Sequence, residues 1–192
     1  MHRLTSSFVL GYHGCDVAVG ERILKGTAFK QSDNDYDWLG PGIYFWEANP
    51  KRALQFAREA QKRKGSTSNP FVVGAVIELG LCLDLTTATS LDLVRISYQS
   101  LVEDSKARSR PLPANSRDQL RRILDCAVIR RLHTVRQDQG FPAIDTVKGV
   151  FIEGAPLYAG SGFLEKTHIQ IAVRDAHCIK GVFRVPKHQL SP

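Results

Sequence analysis

Three short segments carry residue types that packing alone does not require. Tyr12-His13-Gly14 closes an early apolar run, Phe8-Val9-Leu10-Gly11, so His13 presents ring nitrogens at a strand end and Gly14 admits close approach to its backbone. The N–H and C=O of such a glycine can bind a carboxamide through paired hydrogen bonds. Gly40-Pro41-Gly42-Ile43-Tyr44-Phe45 sets a tyrosine just after a glycine turn, where its ring can stack on a flat heteroaromatic group. The apolar strand Thr167 to Asp175 carries Gln170 on the face opposite Ile169 and Ile171, and a polar group there needs a partner in the fold or on a ligand. Glu165, just ahead of that strand, is placed either to orient or deprotonate an acceptor or to pair at the surface with Lys166 or Arg174. Glu153 is open to the same two readings, and Arg174 to a phosphate contact or to solvent. A His-Gly pair alone is most often a turn; the three segments together carry the weight.

The elements that must position these residues can be read from caps and periodicity. Asp16 caps a helix that stops near Lys25-Gly26, and residues Gln31 to Gly42 form a polar, turn-rich loop into the strand Ile43-Tyr44-Phe45-Trp46. Asn49 is an N-cap and Pro50 suits the first turn of a helix over Lys51 to Lys64 that ends at Gly65. Ala53, Phe56, Ala57 and Ala60 share its apolar face, which leaves Lys51, Arg52, Arg58, Lys62 and Arg63 largely outside. Phe71 to Leu79 reads as a central strand. Ser90 to Asp104 reads as a helix, Lys106 to Asn115 as a basic, proline-bearing loop, and Ser116 as the cap of a helix running to about Thr134. That helix has an apolar stripe of Leu120, Ile123, Leu124, Ala127 and Leu132. Arg121, Arg122, Arg130 and Arg131 lie on its other side, as a solvated face or a binding surface. Strands follow at Val147 to Ile152, His168 to Val173 and Ile179 to Val185, around the glycine-rich loop Gly154 to Leu164. This order points to an α+β fold with a mixed or antiparallel sheet.

The chain has 192 residues, 43% hydrophobic and 23% charged, which suits one domain with a full core. No stretch approaches a membrane span and no secretory signal is evident, so the expected setting is cytoplasmic, or export by a route that leaves no cleavable signal, with no membrane partner. Cys15, Cys82, Cys126 and Cys178 lie far apart and the six histidines form no ligand pattern, so no metal is expected. No Walker loop, nucleophile elbow, dinucleotide fingerprint or His-Glu-x-x-His motif occurs. The net charge of +7, from 26 Lys and Arg against 19 Asp and Glu, tilts the expected partner toward nucleic acid or an acidic protein surface.

Taken in order, these segments resemble the poly(ADP-ribose) polymerase and diphtheria-toxin branch of ADP-ribosyltransferases. The likeness rests on His13-Gly14, on Gly42-Ile43-Tyr44-Phe45 with Asn49 to Ala57, on Phe71 to Leu85, and on Gly149 to Val185. It leaves Thr89 to Ile144 unmatched, as a helical insertion in a single domain spanning 1–192. The resemblance implies an ADP-ribosyltransferase-like fold, with a mixed or antiparallel split β-sheet core flanked by helices. It implies that NAD is the co-substrate, that His13 binds the adenosine ribose, and that the Gly14 backbone holds the nicotinamide amide. Tyr44 would stack on the nicotinamide ring, with Phe56 as second wall, one residue from the usual spacing. The family's catalytic Glu is replaced by Gln170, which can bond the ribose hydroxyl without supplying negative charge to the sugar in the transition state. The resemblance therefore implies transfer of a single ADP-ribose to a macromolecular acceptor, RNA, DNA or protein; the small, basic domain suggests a toxin or defence effector, with an antitoxin or immunity protein as its partner. The alternatives are a catalytically silent NAD- or ADP-ribose-binding module and an RNA 2′-phosphotransferase.

Overall fold

A computed structural model describes residues 8–64 and 69–191. Among the described residues, seven strands form one mixed sheet. They are β1 (Phe8–Asp16), β2 (Ile43–Glu47), β3 (Pro70–Glu78), β4 (Cys82–Asp84), β5 (Thr146–Phe151), β6 (His168–Val173) and β7 (Ile179–Arg184). Their order across the sheet is β4-β5-β6-β2-β1-β3-β7, with β4 parallel to β5 and every other pair antiparallel. Four α-helices accompany it among the described residues, α1 (Val17–Leu24), α2 (Pro50–Lys64), α3 (Ala88–Ala107) and α4 (Ile123–Asp138). None is long and apolar enough to cross a membrane.

Local chemistry accounts for most boundaries. Asp16 accepts from the Ala18 N–H at 2.9 Å to start α1, and Gly26, at φ 100, ends it. Asn49 Oδ1 accepts from the Arg52 N–H at 3.0 Å at the head of α2. The helix end at Gly65 lies outside the described residues. The expected start of α4 at Ser116 is corrected. Ser116 closes a turn by accepting from the Arg121 N–H, and the helix begins seven residues later. Its first-turn donors, Leu124 N–H and Asp125 N–H, are taken by the Asn115 side-chain carbonyl at 2.9 and 3.3 Å. β4, too short for a visible alternation, was not anticipated.

The sheet is continuous and narrows to a waist between β1 and β2. β1 pairs with β3 along nine registered positions, from Phe8↔Glu78 to Asp16↔Pro70, but meets β2 only at Gly11↔Glu47 and Tyr12↔Trp46. Beyond that point β1 stays with β3 while β2 follows β6, so the sheet forks.

Strand alternation separates the core into a layer on one face and two blocks on the other. Ile43, Phe45, Ala75, Ile77, Ile171 and Val173 fill one face. On the other, Tyr12, Trp46, Ala53, Leu54 and Val72 pack under α2, while Trp38, Leu39, Ile129, Leu132, Val147 and Phe151 pack under α4. Phe45, Leu39, Ile43, Ile77 and Ile171 are fully buried, each worth about 1.5–3 kcal/mol of transfer free energy. The two blocks hold α2 and α4 on either side of the fork.

Candidate functional site

A cleft of about 670 Å³ opens at the fork, within the range that encloses a small organic ligand. His13, Gly14, Tyr44, Phe56 and Gln170 all line it, and so do Trp38, Trp46, Arg52, Glu153 and His168. His13 packs against Phe29 and Phe45 on one sheet face, while Tyr44 belongs with the block on the other. Only where the strands part can residues of both faces border one space.

Gly14 occupies the crotch of the fork. The Leu10 C=O accepts the Ala48 N–H on the β2 side of β1 at 2.9 Å. Backbone groups alternate along an uninterrupted strand, so Tyr12 and Gly14 also turn theirs toward β2. Tyr12 meets Trp46 there; Gly14 has no registered β2 residue opposite it. Its N–H and C=O therefore point side by side into the fork. Its Cα lies against α2 so closely that a Cβ would stand 2.2 Å from the Ala53 carbonyl oxygen, which only glycine permits.

His13 bridges the fork through Nδ1, 2.9 Å from the Tyr44 carbonyl oxygen. A carbonyl only accepts, so Nδ1 carries the proton and Nε2 keeps a lone pair. Burial lowers the His13 pKa against the opposing effect of this bond, which keeps the ring neutral near pH 7. Tyr44 is anchored at its other end. Its hydroxyl donates to Gly40 C=O at 2.9 Å and accepts from Leu39 N–H at 3.0 Å. Burial, and next the Asp37 charge, push its pKa well up, so it acts as a neutral ring.

Gln170 Oε1 accepts the Trp38 indole N–H at 2.6 Å. Indole is donor-only, which fixes the amide orientation and leaves the NH2 group as the part a ligand can meet. Trp38 reaches Gln170 because Gly149, registered opposite Gln170, has no side chain; a Cβ there would lie 2.7 Å from the indole. The site thus offers donors at a position where a carboxylate would offer an acceptor.

Three expectations are corrected. Arg52, read as outward, is 6% exposed, because its guanidinium meets Glu153 at 2.8 Å and Glu59 at 3.4 Å and lies over the Trp46 ring. Lys166 completes this cluster at 3.0 Å from Glu59 and 3.6 Å from Glu153. Glu165 is exposed and does not line the cleft; its backbone N–H is held by Ala155 C=O, and Glu153 is the carboxylate brought to the site. The arginines at α4 do not form a free basic face. Arg122 packs over Phe151 and Trp38, Arg130 pairs with Asp33, and Arg131 donates to Ser100, while Arg121 lies over Tyr36 at the rim of the cleft.

Phe56 borders the cleft with its ring centre 4.8 Å from that of Trp46 and tilted 42° to it. Trp38, Trp46 and His168 went unnoticed in the sequence because each reads as an ordinary core residue. The one available signal was the polar tip on Trp38 and on Trp46, which is costly to bury without a partner; Trp38 Nε1 finds Gln170, while Trp46 Nε1 is buried with no partner among the described residues.

Compared with known proteins, the chain matches no family model and has no significant match among curated proteins or solved structures.

Proposed function

We propose that this chain has an ADP-ribosyltransferase-like fold and is an NAD⁺-dependent mono-ADP-ribosyltransferase acting on a macromolecule. The observation that carries the reading is the fork, where Gly14, Tyr44, His13 and Gln170 border one cleft. Gly14 presents one donor and one acceptor, the complement of a carboxamide. Tyr44 offers a flat neutral wall for the nicotinamide ring. His13 Nε2 accepts from a ribose hydroxyl, and Gln170 donates to one. Lys30 and Arg121, at the rim, supply positive charge for the pyrophosphate.

NAD⁺ brings an ADP-ribosyl group already joined to its leaving group. The C1′–nitrogen bond breaks with its electron pair going to nicotinamide, and a nucleophilic oxygen or nitrogen of the acceptor bonds to C1′ and loses a proton. Held positions lower the entropic part of this barrier. Gln170 supplies no negative charge to the sugar, so slow, single transfer fits better than chain growth. The net charge of +7 favours a nucleic-acid acceptor, but the arginines at α4 no longer add to that argument, since most are engaged internally.

The Trp38–Gln170 bond also favours a second reading, a binding module without turnover. Labelled NAD⁺ incubated with separated protein, RNA and DNA fractions tests both, with His13→Ala alongside. Labelled acceptor or free ADP-ribose from the native chain, lost in His13→Ala, is expected for the transferase. Saturable NAD⁺ binding by calorimetry with no product would replace it by the binding module. No binding and no product would overturn both.

A further inference from the structure

A second cavity, of about 210 Å³, lies at the C-terminal end of α4 and shares no lining residue with the cleft. His133, Arg136 and Gln137 come from α4, Phe141 and Ile144 from the segment after it, and Arg174 from the residue following β6. Its volume falls below the roughly 300–1,000 Å³ of pockets for drug-sized ligands, and suits a single small group.

The polar atoms around it are positioned but unsatisfied. Arg136 Nη2 donates to Pro142 C=O at 3.0 Å, and Arg174 Nη1 donates to Ile144 C=O at 2.7 Å, which fixes both guanidiniums. Arg136 Nε, Arg174 Nε and His133 Nε2 are buried with no hydrogen-bond partner among the described residues. Neither guanidinium has a carboxylate within ion-pair distance among the described residues. Asp145, whose charge acts on Arg174, spends one carboxylate oxygen on the Leu81 N–H at 2.8 Å. Carbonyls of the last turn of α4, which would repel an anion, are occupied by the N–H groups of Gln139, Gly140 and Phe141. With no carboxylate in ion-pair contact and only the Asp145 charge acting on Arg174 from farther off, much of the desolvation of the two cations is left uncompensated. An oxyanion in the cavity would complement both guanidiniums.

We propose that this cavity binds a phosphate group between the Arg136 and Arg174 guanidiniums, beside the His133 ring. The source is either free phosphate or a nucleotide whose base lies on Phe141. That ring is 54% exposed at the mouth and already has the Arg136 guanidinium 5.3 Å from its centre. Burial and the two neighbouring arginines push the His133 pKa down to about 3, so an entering anion should raise it.

Imidazole NMR of the full chain tests this, because the cleft carries its own reporters in His13 and His168. Titration with inorganic phosphate, and separately with uridine monophosphate, is expected to move the His133 signals saturably and raise its pKa, with His13 and His168 unmoved by phosphate. Arg136→Gln should weaken binding by about tenfold or more, the worth of one charge-assisted hydrogen bond. Gln137→Glu, an exposed and near-isosteric change at the rim, should weaken it with no loss of thermal stability. Tighter binding of uridine monophosphate, with the advantage lost in Phe141→Ala, would identify a nucleotide source; equal affinity would identify free phosphate. Still His133 signals, shifts confined to His13 and His168, or unchanged affinity in both Arg136→Gln and Gln137→Glu would overturn the proposal.

Discussion

Gln170→Glu perturbs the proposed site at the atom where it differs from a carboxylate. One oxygen of the introduced carboxylate can keep the 2.6 Å bond to the Trp38 indole, and the other then replaces the amide NH2 on the cleft side. A single preorganised electrostatic group at a reacting centre is worth about 2.7–4 kcal/mol, or about 10²–10³ in rate. Gln170 is only half-buried, and the indole already draws on part of the new charge, so we expect the smaller gain of about tenfold to a hundredfold. Gln170→Ala acts oppositely. It removes the donors facing the cleft and strands the indole N–H of Trp38, which is 8% exposed. Leaving such a group unsatisfied costs about 1–3 kcal/mol. For a chain of this size, each kcal/mol lowers Tm by roughly 2–4 °C. The assay is the initial rate of nicotinamide release and label incorporation at saturating NAD⁺, with a thermal melt of each variant. Equal rates for the native chain and both variants would refute the role given to Gln170. An unchanged melt in Gln170→Ala would refute the Trp38 bond as a fixed part of the fold.

Two further outcomes follow from close packing and from burial. Gly14→Ala drives a Cβ to 2.2 Å from the Ala53 carbonyl oxygen, and because that is helix backbone the strain cannot be relieved by a rotamer. It should cost about 1–3 kcal/mol and weaken calorimetric NAD⁺ binding by about tenfold or more, whereas Gly181→Ala, with open space around it, should do neither; a native-like melt and affinity in Gly14→Ala would contradict the fork geometry. His13, His133 and His168 all have pKa values lowered chiefly by burial, in His133 to about 3. Below the ordinary value of 6.5 the unfolded chain takes up protons that the folded chain refuses. Stability should therefore be full above that pH and fall as pH drops toward the folded values. Melts from neutral to mildly acidic pH check this, with His133→Gln expected to flatten part of the slope; a flat profile in the native chain would argue against buried neutral rings.

The sequence made the local elements legible, and least so where the chain caps itself at a distance. Asp16, Asn49 and Gly26 sit within a turn of the groups they serve, so the ends of α1 and the head of α2 could be read directly. Asn115 caps α4 across a seven-residue turn, and Ser116, the nearer candidate, closes that turn instead. Arg52 shows the same limit for burial. Helical periodicity placed it outside, yet its main partner, Glu153, is 101 positions away and periodicity contains no term for it.

By itself, the sequence determined which residue types stand at strand ends and glycine turns, because alternation and capping act between neighbours in the chain. His13, Gly14, Tyr44 and Gln170 could be selected on those grounds. That they border one cleft was decided only by the tertiary structure. Two strands that share just two registered pairs must part, and the parting brings a histidine from one sheet face beside a tyrosine and a glutamine from the other. The orientation of Gln170 was settled in the same way, by a donor-only indole 132 positions distant that turns its amide NH2 toward the cleft. Contacts of that range depend on how the blocks under α2 and α4 pack, which no local pattern encodes.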